Sequence, residues 1–64
     1  MSIANAVQNG RMVFVYGESG RFLFSQTGEL HDYACAHVTI RKGSVLYFYD
    51  PHGRCLGSTP VRAP

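Results

Sequence analysis

Two apolar runs, Met12-Val13-Phe14-Val15-Tyr16 and Val45-Leu46-Tyr47-Phe48-Tyr49, constrain what this chain can fold into more than anything else in it. Glycine-bearing turns frame each run: Asn9-Gly10 and Gly17-Glu18-Ser19-Gly20 around the first, Lys42-Gly43 and Asp50-Pro51-His52-Gly53 around the second. The runs are rich in β-branched and aromatic residues, and no stretch of the chain sustains a 3.6-residue period, so they read as strands. Laid over one another, the two segments match Gly10 with Gly43, Tyr16 with Tyr49, Gly20 with Gly53, Arg21 with Arg54, Leu23 with Leu56 and Ser25 with Ser58. Glycine, tyrosine and arginine coinciding at turn and strand positions favour an internal duplication, with pseudo-repeats over about 2–25 and 35–58 of a single domain spanning 1–64.

Turn chemistry sets the strand boundaries. Asn-Gly is a strong two-residue hairpin signal because both residues tolerate positive φ; Lys42-Gly43 occupies the matching place. In Asp50-Pro51-His52-Gly53 the proline presets φ for a type I turn, and the closing glycine can take the left-handed conformation. Strands are therefore expected over about 4–8, 11–16, 21–25, 37–41, 44–49 and 54–58. In the linker 26–36, Thr27-Gly28 is a turn signal, while Glu29 to Ala36 is compatible with one helical turn, a short extra strand or neither. The expected fold is all-β: a small six-stranded antiparallel barrel-like or sandwich domain built from two three-stranded meanders.

A chain of 64 residues buries only roughly 60% of its unfolded surface, so a disulfide, a metal or self-association would be a welcome staple. Cys35 and Cys55, with no basic segment followed by a long apolar one near Met1, suggest a reducing, cytoplasmic setting with free thiols, and no membrane span is expected. The formal charge of +2 is only mildly basic, well short of a dense nucleic-acid-binding footprint.

An antiparallel strand with one wet face should alternate apolar and polar residues, and the two runs do not. Val13 and Val15, with Leu46 and Phe48 at the matching positions, are assigned to the core. The opposite face carries Tyr16, Tyr47 and Tyr49, whose hydroxyls need water or a partner. Phe14, Tyr16, Tyr47 and Tyr49 are thus expected to form one aromatic outer face for self-association or ligand contact.

Few residues suggest chemistry. No metal site is expected; the nearest approach is Cys35, His37, His52 and Cys55, which lack the Cys-x-x-Cys spacing of a zinc knuckle. Cys35 with His31 or His37 could be drawn as nucleophile and base, but nothing supplies an oxyanion hole or a third orienting group. No catalytic residue and no cofactor is assigned. The basic residues Arg11, Arg21, Arg41, Lys42, Arg54 and Arg62 are spread over both repeats. Arginine beside tyrosine can hold single-stranded nucleic acid, phosphates on guanidinium and bases on rings, while edge strands also carry charge merely to stay soluble.

Two short segments resemble known families. Gly43 to Leu56, with Tyr47, Tyr49, Asp50, Gly53 and Arg54, resembles the tyrosine-aspartate repeat of Rhs-type shell proteins, which implies hairpin geometry and no function. Ile40-Arg41-Lys42-Gly43 is similar to the second motif of Sm-like RNA-binding proteins, without the Asp-x-x-Met-Asn of their first. The expected function is a non-enzymatic protein-binding or assembly module that pairs with itself as a homodimer or higher oligomer. The alternative is a small nucleic-acid-binding barrel using Arg21, Arg41, Lys42 and Arg54.

Overall fold

A computed structural model describes residues 2–61; Arg62 lies outside them. Seven strands follow one another: β1 (Ile3–Asn9), β2 (Met12–Gly17), β3 (Phe22–Thr27), β4 (Glu29–Tyr33), β5 (Val38–Lys42), β6 (Val45–Tyr49) and β7 (Cys55–Pro60), with one 3-10 turn at Glu18–Gly20 and no α-helix among the described residues. They form two antiparallel sheets, ordered β1-β2-β3 and β4-β5-β6-β7. Among the described residues no helix is long and apolar enough to cross a membrane.

The expected all-β class is observed, and the six-stranded count and barrel are corrected. The linker contributes a seventh strand, β4, which pairs with β5 from Glu29↔Arg41 to Tyr33↔Val38. The chain forms two separate sheets rather than a closed barrel. The strand that makes the second sheet larger is β4, so β1-β2-β3 stands beside β5-β6-β7.

Both two-residue hairpins turn one position later than expected. Asn9 pairs with Met12, so Gly10 and Arg11 form the loop; Lys42 pairs with Val45, so Gly43 and Ser44 form the other. Asn-Gly as the central pair would need positive φ at Asn9. Ser19 is the one described non-glycine residue with positive φ, whereas Gly10 and Gly43 sit at 61° and 62°. Glycine first, followed by an ordinary residue, is the pattern of a type II′ turn, whose twist matches the flanking strands. The Asp50 turn forms as expected: Gly53 N–H donates to Asp50 O at 3.0 Å, and the Asp50 carboxylate accepts from the amides of His52 and Arg54.

The inner faces of the two sheets make the core. Val13, Val15, Val38 and Ile40 are fully buried, with Ile3, Ala6 and Tyr49 nearly so, and Leu23, Phe24, Leu30 and Tyr47 pack against them. The sheets come together along β1 and β4, where Ile3 N–H donates to Cys35 O at 2.9 Å. At the next corner the Gln8 side chain spans the gap. Its Nε2 donates to Gly28 O at 2.9 Å, and its Oε1 accepts from Leu30 N–H. Gly28 is required there, because a Cβ at this position would stand 2.6 Å from Ile40 Cγ2 and 2.8 Å from Arg41 O.

One half of the face assignment reverses. Val13 and Val15 point inward as expected, but in β6 it is Tyr47 and Tyr49 that point inward, which turns Leu46 and Phe48 outward by alternation. The Tyr49 hydroxyl finds its partner inside the protein: Lys42 Nζ donates to it at 3.2 Å and to Gln26 Oε1 at 3.3 Å. The same ammonium lies over the Tyr47 and Tyr49 rings, 5.3 and 5.7 Å from their centroids, a cation–π arrangement that lets an aromatic strand face its own core.

Candidate functional site

The reversal divides the expected aromatic face. Phe14 and Tyr16 lie on the outer surface of the first sheet, where they meet Phe22 at centroid distances of 6.4 and 5.9 Å. Tyr47 and Tyr49 lie between the sheets, Tyr49 against Phe24 at 6.1 Å. The four residues therefore do not share one surface.

What the first sheet does present outward follows from its register. Three rows run across its strands: Asn9, Met12 and Thr27; Val7, Phe14 and Ser25; Asn5, Tyr16 and Phe22. None of these residues is charged. Phe22 is 52% and Val7 42% exposed, with Met12, Phe14 and Tyr16 partly exposed between them. Thr27 Oγ1 and Met12 Sδ, 3.4 Å apart, tie the polar end of the grid together. Val7 and Phe22 were absent from the expected face, although β1 pairing beside the Met12 run would have brought Val7 in. Phe22 joins through a bulge in β3, where Val15 pairs with Phe24 and Tyr16 with Phe22. That bulge has no signature in the sequence.

The outer surface of the second sheet differs in kind. Asp32 and Arg41, opposite Thr39 and Leu46, interrupt it with charge. Beside them Ala36, His37, Phe48, Leu56 and Gly57 line a shallow apolar depression.

The basic residues separate by end of the molecule. Arg41 and Lys42 stand with Arg11 and Glu29 at the end holding the Gly10, Gly28 and Gly43 turns. Arg21 and Arg54 stand at the opposite end, after the turns that carry Glu18 and Asp50. The two pairs are a strand apart, about 17 Å, and the Lys42 ammonium is turned inward onto Tyr49. Arg21, Arg41, Lys42 and Arg54 are thus not brought together.

Cys35, His37, His52 and Cys55 all fall at the Arg21 and Arg54 end, both thiols exposed and free. Among the described residues no three histidine, cysteine or acidic side chains gather closely enough to hold a metal ion. Compared with known proteins, the chain matches no family model, no curated protein and no solved structure, and its short likenesses to Rhs-type and Sm-like proteins extend to no match of the whole chain.

Proposed function

We propose that this protein is a non-enzymatic assembly module that associates with a second copy of itself through the outer face of its first sheet. The observation that supports this is the uncharged grid of Val7, Met12, Phe14, Tyr16 and Phe22, flanked by Asn5, Asn9, Ser25 and Thr27. A two-fold interface sets the same patch against itself, so charges of one sign gathered near its axis would face their own like. A patch with an apolar centre and amides and hydroxyls at its margin is self-complementary in this sense. Sheets that pack face to face do so about 10 Å apart, with side chains interleaved.

Area limits the strength of the contact. Three strands about 4.8 Å apart and five residues long cover on the order of 250 Å² of sheet, against about 800 Å² per partner in a standard stable complex. Association is therefore expected in the micromolar range or weaker, as befits a module brought to high local concentration.

Sedimentation velocity across a concentration series tests the proposal. The wild type should shift from monomer toward dimer at high micromolar concentration, while Val7→Lys combined with Phe22→Glu, both at exposed positions, should remain monomeric with an unchanged circular dichroism spectrum. A wild type that stays monomeric at millimolar concentration, or a double variant that dimerises equally well, overturns it.

A further inference from the structure

We infer that the end of the molecule carrying the Gly10, Gly28 and Gly43 turns is a binding site for a phosphate-type oxyanion, separate from the self-association face. An open cleft of about 670 Å³ lies between these turns, lined by Arg11, Arg41, Glu29, Thr27 and the turn backbone. The polypeptide under it is fixed. Gly28 N–H donates to Arg11 O at 2.7 Å, and Gly28 O accepts from Gln8.

Arg41 is oriented by its own turn, donating from Nε to Gly43 O at 2.9 Å. That bond uses one of the five N–H groups of the guanidinium and leaves the terminal amino groups for a ligand. Arg11, exposed in the β1–β2 loop, lines the same cleft and brings a second guanidinium to it. Two arginines lining one cleft suit a tetrahedral dianion, which a guanidinium fork binds in bidentate fashion. Gly10 and Gly43 carry no side chain, and a Cβ at either would meet nothing within 4 Å. The mouth is open to a group larger than phosphate alone.

The charge balance also singles out this end. Arg11, Arg41 and Lys42 face Glu29 as the one acidic residue of the lining. At the opposite end Arg21 and Arg54 are matched by Glu18 and Asp50. Lys42, committed to Tyr49 and Gln26, adds to the local positive field without being free to make the contact. Glu29 opposes an anion, so its removal should improve binding, a sign that no merely structural role of these residues predicts.

Titration with inorganic pyrophosphate at low ionic strength, followed by amide NMR, tests the site. The amides of Gly10, Arg11, Gly28 and Gly43 should move, and those of Gly20 and Gly53 should not. Arg11→Gln combined with Arg41→Gln should weaken binding about tenfold or more, and Glu29→Gln should strengthen it a few-fold. Arg21→Gln combined with Arg54→Gln removes the same charge from the other end and should leave affinity within about twofold. Absence of any shift at millimolar pyrophosphate, or equal losses from the two arginine pairs, overturns the inference. A single-stranded oligonucleotide added in competition identifies the source of the phosphate: displacement at equal phosphate concentration assigns a nucleic-acid backbone, and its absence a small phosphoester. The monomeric Val7→Lys, Phe22→Glu variant should bind pyrophosphate as the wild type does, so either proposal can fail without the other.

Discussion

At the scale of single residues, Gln8 carries more of the structure than its exposed position suggests. Its amide joins the β1 strand to the turn between the sheets through Gly28 O and Leu30 N–H, partners 20 and 22 positions away in sequence. Gln8→Ala strands these groups and should cost about 1–2 kcal/mol, read as a lowered denaturant midpoint with an unchanged slope. Gln8→Glu should be worse than isosteric replacement implies, because a carboxylate keeps the acceptor for Leu30 but loses the donor to Gly28. Nothing in the sequence marks Gln8. A polar residue after Val7 fits the wet side of an alternating strand, and the partners that make it structural become neighbours only when the second sheet docks. Gly28, by contrast, follows Thr27 in a pair that reads as a turn signal, although its closeness to Ile40 is invisible in the sequence.

At the scale of elements, strand identity was legible and facing was not. Valine and aromatic content, with glycine at the turns, located the six strands that were expected. The short stretch Glu29 to Tyr33 lacks that composition, since Glu29, His31 and Asp32 are charged or polar, and it becomes a strand by pairing with β5. In β6 every residue is apolar or aromatic, so the two-residue period carries no signal. A tyrosine hydroxyl needs water or a partner, and Lys42, at the end of β5, supplies that of Tyr49 from inside. Position in the sheet, not residue type, then decides which side is buried. Tyr49→Ser should accordingly cost about 3 kcal/mol or more, as truncation of a buried aromatic does. A Tyr49→Ser protein whose melting temperature matched the wild type would place that ring outside the core. The same reversal gives Val15 and its sequence counterpart Phe48 different surroundings: Val15 is in the core, and Phe48 faces outward by alternation.

At the scale of the whole molecule, the accessible surface of 4264 Å² is close to the roughly 4,100 Å² that scaling gives for a monomer of this mass. The fold is therefore about as closed as that of an ordinary monomer of this size. Turning Tyr47 and Tyr49 inward absorbs half of the expected aromatic face and leaves the first sheet's outer grid beside the smaller Phe48 and Leu56 depression on the second, which is why any self-association is expected to be weak. The topology has a further consequence. Every ladder joins strands adjacent in the chain, so the polypeptide changes sheets once, at the Thr27-Gly28 turn. Residues 1–28 and 29–64 should then behave as a split pair: each a solitary layer with a greasy side and little structure alone, the two regaining β-sheet circular dichroism when mixed in equal amounts. A half that folds by itself, or a mixture that stays unstructured at high micromolar concentration, would contradict this. Reassembly would make the link between the layers a natural point for inserting a foreign sequence or a protease site, converting a single small domain into a two-part reporter.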